Sequence, residues 1–457
     1  MFSIIVFIGL LFIMFSIGMM QLIIAAALPT IVIEIGGAAL YSWVFSGYML
    51  ASIAVIPLFS KLADIYGKRK FLIVGMALFA LGSLYGGFAP SMSHLVSARV
   101  IQGLGAGIIT PVTLAMVSDL FPPEKRGKMI GAFAFVQLLS NLLSPSLGSF
   151  ITKQMGWSWI FFLNLGMVIL AIFLVSFGRV VQESRIDMKL KEIDIIGGFL
   201  FGGFCLLTVV LSNTVSNQGK LDFVGIVLLL VLIVAAAILM RVEQRHQNPI
   251  IKMEFLQTKI IRRSIISAML SGAIMYGLAM ILPLCGIIFS QQGLKLDETN
   301  TLLLFMLGLT SGLLIGSQLK KRGTIQVPKY LWITLSFSSM FLLFSVYSTS
   351  VTLFSLSLII IGLCTGAIMV TFLINSQNAV QSEDRTVLSG LIQLSRYFGA
   401  SVGVTLLTGI LPEVTTIHGI EEFFGAFGLV VALCIIGTLN EILCGTRKPR
   451  LLKKCPF

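Results

Sequence analysis

Fourteen apolar runs, each long enough to cross a bilayer, follow one another along this 457-residue chain. Marked off by charges, Pro and Gly, they fall near 4–31, 41–63, 71–88, 95–120, 129–151, 157–177, 195–212, 223–240, 264–289, 300–319, 330–347, 352–374, 388–411 and 423–442. A spanning helix needs about 20 apolar residues. Backbone groups in lipid must pair within their own segment, so runs of this length predict α-helices. The chain is 57% hydrophobic and 11% charged. That balance excludes a soluble enzyme, a disordered chain and a secreted disulfide scaffold. The expected fold class is an all-α polytopic membrane protein.

The charges orient it. Lys and Arg are retained on the cytoplasmic side of membranes. With both termini cytoplasmic, 27 of the 32 cations fall in cytoplasmic segments, while only Lys153, Lys220 and Lys295 fall outside. Arg99 and Arg396 remain inside spans. The net charge of +13 is thus a scattered topology signal rather than a nucleic-acid patch. The first charge is Glu34 and the first cation Lys61, so the N-terminal run lacks a basic leader region and reads as a retained first helix. Of the six cysteines, Cys205, Cys285, Cys364 and Cys434 lie in apolar runs, and no pair has metal-ligand spacing. They read as free thiols.

The longest connections, 178–194 and 241–263, flank the seventh and eighth spans. Six spans precede them and six follow, the layout of two six-helix bundles with an inserted hairpin. The expected division is an N-terminal bundle over 1–178, a helix pair with cytoplasmic linkers over 179–263, a C-terminal bundle over 264–443, and a basic tail over 444–457.

Several local features carry chemistry. In Leu62-Ala63-Asp64-Ile65-Tyr66-Gly67-Lys68-Arg69-Lys70, Gly67 permits a tight turn. Asp64 is an anion at a basic edge: either a solvated loop acid or a group paired with a cation such as Arg126. In the fourth span, Gly103 and Gly107 form a GxxxG face for close packing. Arg99, near the start of that span, either snorkels to the interface or acts within the membrane. Gln137 and Asn141 lie one turn apart on the fifth span, ahead of a Pro145 kink and Gly148. They either line a cavity or bond between helices. Met14, Met19, Met20, Trp43, Phe45 and Tyr48 supply either an adaptable apolar pocket or bulk core. Arg396 lies about two turns into the thirteenth span. All 19 acids are at span ends or in loops. The acids nearest a membrane path are Asp119 and Glu34.

These residues resemble the major facilitator superfamily, and within it the fourteen-helix drug/proton antiporter branch. The matching stretches are Ala27-Leu28-Pro29-Thr30-Ile31; Leu62-Ala63-Asp64 with Gly67-Lys68-Arg69-Lys70; Arg99 with Gln102-Gly103 and Gly105; and Phe121-Pro122-Pro123-Glu124-Lys125-Arg126-Gly127-Lys128 with Trp157-Ser158-Trp159-Ile160-Phe161. Arg396 with Gly399 and Gly403 adds a late match. Two positions depart. Met20 stands where the branch commonly has Asp, and Ser144-Pro145 replaces its Gly-Pro. Some relatives carry Glu near Asn141.

The resemblance implies a secondary exporter of amphipathic compounds, driven by proton antiport through alternating access. It would be a monomer in a bacterial-type plasma membrane, with no cofactor beyond the proton gradient, no metal, no nucleic-acid partner and no enzymatic activity. Asp64, Gly67, Arg69 and Arg126 would form a cytoplasmic gate. Arg99, Asp119 and Glu34 would serve proton coupling. Met20, Trp43, Tyr48, Gln137, Asn141 and Arg396 would meet the substrate. The competing expectations are a carrier of an anionic or lipid-like substrate, since the only deep charges are arginines, and a non-transporting membrane sensor.

Overall fold

The computed structural model describes residues 2–177, 194–218, 223–245, 253–293, 296–319, 327–348, 350–380, 385–412 and 419–443. The linkers around 178–193 and 246–252, and the tail from 444, lie outside the described residues. So do the side chains of Asp64, Asp119 and Arg126.

The described residues form α1 (Phe2–Ile35), α2 (Tyr41–Tyr66), α3 (Lys68–Gly87), α4 (Met92–Leu120), α5 (Pro123–Met155), α6 (Ser158–Phe177), α7 (Ile195–Gln218), α8 (Phe223–Arg245), α9 (Met253–Gln257), α10 (Lys259–Gln291), α11 (Glu298–Leu319), α12 (Val327–Tyr347), α13 (Val351–Gln377), α14 (Arg385–Gly409) and α15 (Phe424–Leu443). Apart from α9, only five residues long, each helix covers all but at most two residues of one of the fourteen apolar runs. Two begin five residues or more before their runs. α5 starts at Pro123, with proline in its first turn, where the missing N–H costs no bond. α10 starts at Lys259, and its cationic first turns extend the helix beyond the apolar stretch.

Among the described residues, thirteen helices are long and apolar enough to cross a membrane. The remaining long helix, α14, corresponds to the thirteenth apolar run. α14 has helical length, but Arg385, Gln393, Arg396 and its Ser and Thr residues dilute its hydropathy.

The chain forms two compact units, Met1–Ile250 and Ile251–Phe457. In the first, α1 packs on α5 and α6, α2 on α4, and α3 on α4 and α6. In the second, α10 packs on α14 and α15, α11 on α13, and α12 on α13 and α15. The pairings repeat helix for helix, so each unit is the same six-helix arrangement. α7 and α8 pack on each other, and α7 also lies against α2. α8 leaves Phe223, Leu230, Ile233 and Val234 exposed, as a helix against lipid tails requires.

Small residues set the close approaches. A side chain at Gly103 would strike the Tyr48 carbonyl, and one at Gly107 would meet Ser52 and Val55, so α4 lies directly on the α2 backbone. In the second unit, Gly308 and Gly312 on α11 interlock with Gly362 and Gly366 on α13. Lipid tails give no hydrophobic drive for helices to associate, so such contacts carry the packing.

Candidate functional site

The α2–α4 contact builds a buried polar cluster in the first unit. Ser52 Oγ donates toward the Tyr48 and Gly103 carbonyls at 3.0 and 2.9 Å, tying the two helices together where the glycines let them touch. One turn before Gly103, Arg99 turns inward and is fully buried. Its guanidinium carbon lies 4.3 Å from the centre of the Tyr48 ring. Arg99 Nε donates to the Val44 carbonyl at 3.2 Å, and Nη1 donates to Gln102 Oε1 at 2.8 Å. Its burial removes the alternative in which Arg99 reaches the interface.

From Gln102 the bonding continues. Gln102 Nε2 donates to Ser83 Oγ at 2.9 Å. The Ser83 hydroxyl is 2.9 Å from Asn164 Oδ1 and 2.8 Å from the Phe79 carbonyl, and its single proton serves one or the other. Asn164 Nδ2 donates to Ser16 Oγ at 2.8 Å. Arg99, Gln102, Ser83, Asn164 and Ser16 are all fully buried. One hydrogen-bonded line therefore links α2, α4, α3, α6 and α1. Among the described residues no carboxylate faces Arg99, and its Nη2 has no partner. A buried cation without a counter-ion is costly. The ring face, a carbonyl and an amide oxygen offset part of that cost, a desolvated cation–π contact being worth about 2 kcal/mol.

The second element is the face of α5. Ser140 Oγ reaches the Phe15 carbonyl at 3.2 Å, and Ser144 Oγ reaches the Met19 carbonyl at 3.3 Å. One turn on, Gly148 lies against Ile23. Beside this seam Gln137 Nε2 donates to Asn141 Oδ1 at 3.1 Å, and the Gln137 amide covers Gly18 of α1. Gln137 is half-buried and Asn141 buried. Pro145 lies inside the helix between Ser144 and Gly148. Met14, Met19, Met20, Phe45 and Tyr48 are buried, while Trp43 is half-buried.

At the other candidate positions the geometry is local. Gly67 has φ 109°, a conformation that favours glycine, between α2 and α3. Arg69 donates to the Ser176 carbonyl at the end of α6, where a cation suits the helix terminus. Glu34 is exposed at the end of α1, and its Oε2 accepts from Trp157 Nε1 at 2.7 Å. In the second unit, Arg396 is half-buried, donates to Gln393 on its own helix, and has a buried Nε without a partner.

Ser16, Ser83, Asn164 and the Ser140–Ser144 seam were not singled out from sequence. Asn164 carries a usable signal, as the one amide inside the apolar α6. Ser140-x-x-x-Ser144-x-x-x-Gly148 carries another, a small-residue repeat.

Two bundles of repeated topology, built from membrane-spanning helices around buried polar groups, define a polytopic membrane carrier. The chain belongs to the Major Facilitator Superfamily, whose model matches residues 10–404. It is a multi-pass membrane transporter, not an enzyme. It is 28% identical over 430 residues to Multidrug resistance protein 3 of Bacillus subtilis, covering 93% of this chain and 82% of that one. It is 26% identical over 412 residues to the Multidrug transporter protein MdtP of the same organism, covering 88% and 74%. Among solved structures, a bacterial homologue of the human lysosomal transporter Spinster, inward-facing and occupied, matches with TM-score 0.69 at 13% identity over 96% of both chains. A POT peptide transporter matches with TM-score 0.69 at 16% identity, over 99% of this chain and 95% of that one. These structural matches concern the fold alone.

Proposed function

We propose that this transporter exports amphipathic compounds in exchange for protons, by alternating access, from the cytoplasmic side of a bacterial-type plasma membrane. The observation that carries the reading is Arg99, a fully buried cation at the head of a hydrogen-bonded line through five helices. An ionisable group kept in a membrane interior at such cost is a functional candidate. Its arrangement gives it a route by which a change of charge nearby would be felt across the bundle. Export of drug-like compounds is supported by the likeness to two proteins named for multidrug resistance and transport.

In this reading Arg99 senses proton binding, with Asp119 or Glu34 as the carboxylate that exchanges the proton. Gln137 and Asn141 offer amides to the polar end of the substrate, with apolar walls from Met20 and Trp43. Asp64, Gly67, Arg69 and Arg126 form the cytoplasmic gate. Both termini lie on the cytoplasmic side, the chain works as a monomer, and it needs no cofactor beyond the proton gradient.

The test is transport by the purified full chain in proteoliposomes. A panel of neutral, monocationic and anionic amphiphiles is followed with and without an imposed pH gradient. Accumulation of at least one amphiphile that requires the gradient and collapses with a protonophore is expected. Equal movement with and without the gradient would contradict antiport.

A further inference from the structure

The two units share a register as well as a topology. On the first unit's α1–α5 seam, Ser140 meets Phe15, Ser144 meets Met19 and Gly148 meets Ile23. On the second unit's α10–α14 seam, Gly399 meets Met269, Gly403 meets Ala273 and Leu407 meets Gly277. Each seam advances four residues at a time on both helices, so the contacts align one to one. The aligned register makes Arg396 the counterpart of Gln137. The glycines agree: Gly18 lies against the side-chain amide of Gln137, and Gly272, aligned with it, lies against the backbone carbonyl and Cγ of Arg396.

The same alignment on the neighbouring pairs places Gly362 and Gly366, against Phe305 and Leu309, where the first unit has Gly103 and Gly107 against Tyr48 and Ser52. Counting back one turn, the counterpart of Arg99 is Leu358, fully buried. The deep arginines of the two units therefore occupy different positions. Arg99 is enclosed by Tyr48, Val44 and Gln102. Arg396 stands where the first unit presents the amide that we assign to substrate.

Its surroundings differ accordingly. Arg396 is half-buried, and among the described residues no carboxylate pairs with it. One Nη2 contact to Gln393 comes from its own helix, and the buried Nε has no partner. The Arg396 guanidinium carbon lies 5.9 Å from the centre of the Tyr397 ring, and Tyr276 of α10 is close enough for its phenol to feel the charge of Arg396. A guanidinium offers a planar fork of N–H donors matched to an oxyanion, and its attraction strengthens away from water. α10 offers an apolar wall, on which Ala273, Met275 and Met280 are buried and Met269 is half-buried.

We infer that Arg396 binds the oxyanion of an amphiphile, a carboxylate, sulfonate or phosphate on an apolar tail. Resting on the export reading, this names its substrate class: compounds with one anionic or zwitterionic head. The same chemistry would be offered by a bilayer lipid headgroup, and the experiment separates the two.

The purified full chain is placed in phosphatidylcholine nanodiscs, and binding of 1-pyrenedecanoic acid is compared with that of its methyl ester. The parent should bind the acid at least tenfold more tightly. Arg396→Gln should remove that preference while leaving ester binding within twofold, and Arg396→Lys should keep part of it. Equal binding of acid and ester by the parent overturns the assignment, with no variant needed. An undiminished preference in a folded Arg396→Gln protein overturns it also. Replacing part of the phosphatidylcholine by phosphatidylglycerol should leave the acid's advantage within threefold. Its loss would make a lipid headgroup the ligand and overturn the substrate assignment. Gradient-driven export is scored separately in proteoliposomes: its absence beside an intact acid preference would defeat the export reading but not the oxyanion site.

Discussion

The guanidinium carbon of Arg99 lies 4.3 Å from the centre of the Tyr48 ring, and both side chains are fully buried. The ring face carries partial negative charge, so, with no carboxylate facing Arg99 among the described residues, it supplies much of what holds the cation there. Tyr48→Phe keeps that face and should leave thermal stability within about 0.5 kcal/mol, the usual range of a mild change. Tyr48→Leu should cost about 2 kcal/mol or more by leaving the cation unbalanced. Thermal unfolding of the two variants in detergent checks the order; equal losses would show that the ring face does not hold Arg99.

Asn164 receives its effect through others. It touches Ser83 and Ser16, and through Ser83 it fixes Gln102 and so Arg99. Asn164→Leu should lower stability by about 1 kcal/mol, the scale of an interhelical hydrogen bond in membranes. It should also shift the pH dependence of transport, which a merely structural loss would not. Ser16→Ala, at the far end of the line, should cost stability without moving the pH profile. Identical profiles in the parent and Asn164→Leu would separate Asn164 from proton coupling.

Glycine substitutions should divide sharply. Gly103→Ala places a methyl group against the Tyr48 carbonyl and should reduce the yield of folded protein several-fold. Gly131→Ala meets nothing within 4 Å on α5 and should stabilise by about 0.5–1 kcal/mol through helix propensity. Size-exclusion yield and melting temperature check both.

Substrate charge offers a fourth test. Gln137 and Asn141 are amides, and Arg396 is a cation. A dicationic compound would be stripped of hydration at either place without gaining a counter-charge. Export of matched dications should fall well below that of neutral, zwitterionic or singly charged amphiphiles. Asn141→Asp should raise it. Equal export of dications by the parent would mean that an acid placed at a span end reaches the substrate.

The fourteen helices could be read from sequence because lipid enforces them: a long apolar run has no other way to pair its backbone. α14 was the weakest of them for the same reason, since Arg396 interrupts its run. Gly103 and Gly107 were visible because their spacing alone brings them to one helix face. The line beyond Gln102 was not. Ser83 and Asn164 are 81 residues apart and Asn164 and Ser16 148 apart, and only tertiary packing brings such groups together. The equivalence of Gln137 and Arg396 in their two units was equally hidden. The seams that align them are built of Ser, Ser and Gly in one unit and Gly, Gly and Leu in the other, so shape repeats where sequence does not. Tyr48, expected among pocket residues, lies beneath Arg99, a contact for which its own sequence neighbourhood gives no sign.

The most direct test of coupling through Arg99 is proton movement driven by substrate alone. Proteoliposomes are loaded with a transported amphiphile and a trapped pH dye, then diluted into substrate-free buffer at equal pH. With the parent protein, outward flow of substrate should draw protons inward and acidify the lumen. With Arg99→Gln the substrate should still bind, and the acidification should fall at least tenfold. Equal acidification by both proteins would contradict a role for Arg99 in coupling, and none with the parent, despite substrate efflux, would contradict proton antiport itself.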